Sequence, residues 1–144
     1  MIVYFDTSAI IPLLVDEPGT PIAADLWKAA EARVSARVVH VEAAAALGLA
    51  QRLGRITGRQ LGTALRSLDA LLGNLDLVEI TAELTTTAAG LAISQRLRGY
   101  DAIHCAAGAA VASDRSVAAT GDADLLAAWR RLGLATADTS ARPE

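Results

Sequence analysis

Ile2-Val3-Tyr4-Phe5-Asp6-Thr7-Ser8 is the stretch on which the reading of the whole chain turns. Four successive apolar residues, β-branched and then aromatic, suit a strand buried on both faces, because neither side of such a strand meets water. An acid follows at once. Two small hydroxyl residues and a new apolar run come next, so Asp6 falls where a central parallel strand ends and a helix begins, the edge at which open α/β sheets bind ligands. The same position suits a helix cap, since Asp and Ser satisfy the free N–H groups of a helix start. On this stretch alone the two roles stand level.

The chain has 144 residues, enough for one domain that buries about 68–70% of its unfolded surface without staples. Hydrophobic residues make up 53% of it and aromatics only 3%, which implies helices packed closely through alanine and leucine. A single cysteine, Cys105, cannot form an internal disulfide, and the chain opens without a secretory leader; a cytoplasmic location is expected. The longest uncharged apolar run, 102–112, is about half a bilayer span and contains His104, so no membrane helix is expected. A net charge of −3 argues against binding nucleic acid through bulk positive charge. It does not exclude a nuclease, because acids gathered around metal ions reverse the local sign when the ions bind. Of the 13 basic residues only Lys28 is not arginine, and arginine offers a planar fork suited to phosphate.

Read in order, Ala9–Val15 suggests a short helix closed by Asp16-Glu17-Pro18-Gly19, and Thr20-Pro21 opens a second that runs to about Ala32. A brief strand at Arg33–Ser35 leads to an alanine-rich helix from Val38 to Leu53. Thr57–Leu72 is a helix with a leucine stripe, Leu75–Ile80 a strand, and Thr81 or Thr85 starts a helix reaching Leu97. Helix 101–112, strand Ser116–Thr120, helix Leu125–Leu132 and strand Leu134–Ala137 follow. Alternating strands and helices predict an α/β fold of three layers, α/β/α, with a central, mostly parallel sheet of about four to five strands. The domain is expected to span residues 1–137, followed by a polar tail, 138–144.

Three further acids resemble Asp6 in their setting. Asp122 also follows a predicted strand and opens a helix, so adjacent strands would bring both carboxylates into one crevice. Glu42 falls on the apolar i, i+4, i+7, i+11 stripe with Ala46, Leu49 and Leu53, where an inward carboxylate is costly without a partner or metal. Asp101 shares a stripe with His104, Cys105 and Gly108 and also suits the first turn of its helix as a favourable charge. Carboxylates crowded into one crevice raise one another's pKa unless a cation offsets them. An all-oxygen set without a His or Cys cluster suits Mg²⁺ or Mn²⁺, one ion or two, and His104 reads as a core residue or one supporting the acids. Without a phosphate-binding glycine loop, such a site points to phosphodiester hydrolysis by metal-activated water.

The strings Val3-Tyr4-Phe5-Asp6-Thr7-Ser8-Ala9, Val41-Glu42, Tyr100-Asp101-Ala102-Ile103-His104 and Thr120-Gly121-Asp122-Ala123-Asp124-Leu125 resemble the motifs of PIN-domain ribonucleases. In order and length the whole chain is similar to their VapC toxin subgroup. The resemblance implies that Asp6, Glu42, Asp101 and Asp122 line the metal site and act in catalysis. Thr7 or Ser8 would support Asp6, with Thr120 beside Asp122; Asp124 is a second acid able to serve in place of Asp122. Glu17 could rim the site or be a solvated loop acid. The resemblance also implies an RNA substrate of the translation machinery, a homodimer, and a VapB-type antitoxin that covers the groove. The rivals are a PIN nuclease of RNA processing without an antitoxin, an inactive binding module, and a receiver-like signalling domain. The last needs a lysine near the final strands, and Lys28 is on an early helix.

Overall fold

In the computed structural model, which describes residues 1–141, the buried run at the start of the chain is the middle strand of a five-stranded sheet. The first half of the chain forms β1 (Ile2–Phe5), α1 (Thr7–Leu14), α2 (Thr20–Ala29), β2 (Ala32–Ala36), α3 (Val39–Arg52) and α4 (Gly58–Leu72). The second half forms β3 (Asp76–Val78), α5 (Ala82–Ser94), α6 (Gly99–Ala110), β4 (Ser116–Thr120), α7 (Ala123–Arg131) and β5 (Thr136–Asp138). All four strand pairings are parallel, in the order β3-β2-β1-β4-β5. This is the expected three-layer arrangement.

The pleat of β1 divides the core. Val3 and Phe5 face α1, α3 and the end of α4, packing with Ile10, Val39 and Leu71; Tyr4 faces the other way, toward α5, α6 and α7, packing with Leu84, Cys105 and Trp129. Both faces of the strand are therefore dry, which accounts for its unbroken apolar sequence. On the second face small residues let the helices approach closely: a Cβ on Gly108 would lie 2.8 Å from the Trp129 indole. Trp129 is fully buried and its indole N–H donates to the Cys105 carbonyl at 3.2 Å.

Two expectations need correction. The stripe assigned to the inner face of α3 is not the buried one, which is Val39, Ala43 and Leu47, while Leu49 and Leu53 are exposed at 46% and 57%. An alanine-rich helix shows little contrast between its faces, so the periodicity was ambiguous by one position. Glu42 consequently lies at the edge of the buried face. At the other end of the chain the sheet takes in Asp138, beyond the boundary expected at 137, and Thr139 behind it is buried. Its backbone carbonyl packs against Gly19, where a Cβ would sit only 2.0 Å from that oxygen. The last part of the expected tail, 142–144, lies outside the described residues. Among the described residues no helix is long and apolar enough to cross a membrane.

Candidate metal centre

Strand order reverses between β1 and β4, and their C-terminal ends open on a crevice of about 410 Å³. Its lining includes Asp6 from the end of β1, Glu42 from the first turn of α3, Asp101 from the first turn of α6, and Asp122 from the end of β4. Four carboxylates distant in sequence thus face one space.

Capping and lining the crevice prove compatible. Asp6 caps α1 by accepting from the Ala9 N–H at 3.2 Å, and Asp122 caps α7 by accepting from the Leu125 N–H at 2.9 Å. Each cap uses one carboxylate oxygen, Oδ1. The hydroxyl residues behind the two acids form one connected set. Ser8 donates to Asp6 at 2.8 Å, accepts from the Gly121 N–H at 2.8 Å, and lies 3.2 Å from the Thr120 hydroxyl, which accepts from the Asp122 N–H at 3.0 Å. Ser8, not Thr7, therefore supports Asp6. Thr7 instead donates to Glu42 Oε1 at 2.8 Å.

Glu42 has a second partner. His104, only 1% exposed, places Nε2 at 2.6 Å from the same Oε1 and Nδ1 at 2.7 Å from the Tyr4 hydroxyl. Asp101 receives a long contact of 3.4 Å from Arg98 Nε, whose side chain is largely solvated. Glu17 and Ile11 also border the crevice. Asp124, in the first turn of α7, is exposed and is not part of its lining.

Burial pushes the Asp6 carboxyl up to about 6, against the lowering influence of His104 and of the Ser8, Thr120 and Ala9 hydrogen bonds. Asp101 is also raised, first by its burial and then by repulsion from Asp122. The crevice thus concentrates negative charge that the protein's own cations only partly offset. All four acids offer oxygen, the donor type that Mg²⁺ and Mn²⁺ take, so the residues fit a hard divalent cation by their chemistry. Among the described residues, no three His, Cys, Asp or Glu side chains already converge closely enough to form a ready-made cluster. Asp6 is held by Ser8, Glu42 by Thr7 and His104, and Asp101 by Arg98.

Residues that the sequence did not single out include Tyr4, read only as strand core, and Ala46, whose methyl group forms part of the crevice wall. Beside the crevice lies a larger groove of about 680 Å³ that shares Ile11, Glu17 and Ala46 with it. Leu14, Leu49 and Ile56 make its apolar surface, and Arg55 and Arg59 stand along it.

Comparison with known proteins places this geometry in context. Residues 3–131 match the PIN domain. Over 121 residues the chain is 37% identical to the ribonucleases VapC45 and VapC49 of Mycobacterium tuberculosis, covering 84% of either partner in each comparison. Among solved structures, PAE2754 from Pyrobaculum aerophilum superposes with a TM-score of 0.68 at 26% identity, covering 97% of this chain and 85% of that one. Mycobacterium tuberculosis VapC20, described as a sarcin–ricin loop cleaving toxin, gives a TM-score of 0.66 over 88% of this chain and 94% of its own. At 21% identity that likeness speaks for the fold.

Proposed function

The chain belongs to the PIN-domain family, and from that premise we propose that it is an endoribonuclease, dependent on Mg²⁺ or Mn²⁺, that acts as the toxin of a type II toxin–antitoxin pair. The observation that carries the reading is the meeting of Asp6, Glu42, Asp101 and Asp122 in one crevice at the switch point of the sheet. Relatives named as ribonucleases, at 37% identity over most of the chain, supply the substrate class. RNA of the translation machinery is the target the family resemblance implies.

Asp6, Asp101, Glu42 and Asp122 would hold the ion or ions. When bound, a divalent cation lowers the pKa of water and offsets negative charge at phosphorus and at the leaving oxygen. Hydrolysis there would join a water oxygen to phosphorus as the bond to the 3′ oxygen breaks, with a water proton passing to that oxygen, leaving 5′-phosphate and 3′-hydroxyl ends. Ser8 and the Ala9 N–H keep Asp6 in one orientation, and Thr7 and His104 do the same for Glu42. Arg98, largely solvated beside Asp101, would meet a flanking phosphate of the RNA.

The exposed apolar groove beside the crevice favours a toxin over a processing nuclease. It offers Leu14, Leu49 and Ile56 to a partner segment that could cover the acids, the place proposed here for a VapB-type antitoxin. The proposed assembly is a homodimer bearing that partner. RNA cleavage by wild type and by Asp6→Asn, each with Mg²⁺ or Mn²⁺, tests the chemistry: wild type alone should cleave, and equal cleavage by both would overturn it. Growth arrest on expression, relieved by a co-expressed partner that co-purifies, tests the biology.

A further inference from the structure

The fully buried imidazole of His104 is not among the four acids, and its role rests on the reading of Glu42 as part of the metal centre. His104 comes from α6, Tyr4 from β1, Thr7 from α1 and Glu42 from α3, so a single set of hydrogen bonds ties four elements together. A carboxylate can only accept, so the 2.6 Å contact to Glu42 Oε1 requires the proton on Nε2. On the other side of the ring Nδ1 lies 2.7 Å from the Tyr4 hydroxyl, which can pair with it as donor or acceptor. Both donors to Glu42, His104 Nε2 and Thr7 Oγ1, fall on Oε1. Among the described residues no protein donor is bonded to Oε2, the oxygen left free for a ligand.

We propose that His104 is a positioning residue of the nuclease centre: Tyr4 anchors its Nδ1, and the Nε2–H fixes Glu42 with one oxygen directed to the metal. Several features favour this over simple core packing. A buried histidine needing only satisfied nitrogens could use backbone carbonyls, but both of its ring nitrogens are committed to a line of side chains ending at the crevice. The edge-on packing of Tyr4 against both His104 and Trp129 keeps the phenol from swinging away. Partners of this kind, one step behind a metal ligand, restrict its rotamers before the ion arrives, and their loss typically weakens metal binding about 10- to 100-fold.

The test begins with the wild-type protein free of metal. Nitrogen-15 shifts of His104 should report a proton on Nε2; a ring without one there would overturn the proposal. Mn²⁺ titration by calorimetry, without RNA, then compares wild type with two substitutions. In His104→Gln the side-chain amide can still reach Glu42 in place of Nε2–H, whereas in His104→Asn it is too short to do so. The expected result is Mn²⁺ affinity within a few-fold of wild type for His104→Gln and about 10- to 100-fold weaker for His104→Asn. Because these changes fall in the core, Tyr4→Phe provides a second route: it keeps the ring packing, removes the partner of Nδ1, and should weaken Mn²⁺ binding several-fold. Wild-type Mn²⁺ affinity in a folded His104→Asn or in Tyr4→Phe overturns the role of His104 and leaves the nuclease assignment standing. Failure of wild type to bind Mn²⁺ overturns the nuclease reading and this inference with it.

Discussion

Thr7 donates its hydroxyl proton to Glu42 at 2.8 Å, while Ser8, the next residue, turns the other way and donates to Asp6 at the same distance. Two adjacent hydroxyls at the start of α1 thus serve two acids that arrive from different elements. Thr7→Val keeps the shape of the side chain and removes its hydroxyl, which also lies 3.2 Å from His104 Nε2. It should lower RNA cleavage about 10-fold or more with little change in melting temperature, as expected for one lost bond to a charged ligand. Unchanged turnover would show that Glu42 does not depend on this bond.

Asp6 is buried, and its carboxyl titrates at about 6 in the folded protein against 3.8 for the ordinary group. The folded state therefore binds more protons than the unfolded state between those values, and stability falls as pH rises through that window. The difference corresponds to about 3 kcal/mol at neutral pH as an upper bound. Asp6→Asn can keep the bonds from Ser8 and Ala9 without burying a charge. The metal-free variant should melt several degrees above wild type at pH 7 and lose the decline between pH 4 and 6. It should also be inactive. A lower melting temperature than wild type at pH 7 would contradict this account.

Addition of Mn²⁺ should reverse that order. An ion that binds the folded state alone stabilises it by mass action, and a carboxylate whose charge is costly in isolation becomes an asset beside a cation. Wild type is expected to gain melting temperature with Mn²⁺ in a dose-dependent way and to lose both the gain and RNA cleavage on chelation. Asp6→Asn and Asp101→Asn should gain much less. Equal gains for all three proteins would place the ion elsewhere.

Leu49 is 46% exposed on the wall of the groove beside the crevice. Leu49→Asp puts a charge where an apolar partner segment is proposed to lie but contacts none of the four acids. RNA cleavage should stay near the wild-type rate, while antitoxin affinity falls about 10-fold or more and growth arrest is no longer fully relieved. Retained affinity would move the partner to another face.

Gly19 is held by space and not by backbone angle, since its φ of −80° is open to any residue. An added methyl group would meet the Thr139 carbonyl at 2.0 Å. Gly19→Ala should therefore cost about 1–3 kcal/mol and lower the melting temperature by several degrees, because the end of the sheet and the start of α2 must separate. An unaltered melting curve would mean that the segment after β5 moves freely.

The sequence by itself determined the alternation of strands and helices, the buried middle strand and the order in which the acids appear. Those features are local: a run such as Ile2–Phe5 can satisfy its backbone and side chains only between two covered faces, and Asp6, Asp122 and Thr57 declare helix starts through their own side chains. Tertiary structure alone decided which face of α3 is buried, because alanine carries too little contrast to orient a helix before it packs. It alone decided the pairing of Ser8 with Asp6 and of Thr7 with Glu42, since neighbouring hydroxyls are equivalent until the helix turn aims them apart. The line from Tyr4 through His104 to Glu42 joins residues separated by 100 and 62 positions. Hydrogen bonds of about 2.7 Å tolerate only small errors of placement, and no propensity or period encodes them. They exist because the sheet brings β1 beside the helices that carry the other two.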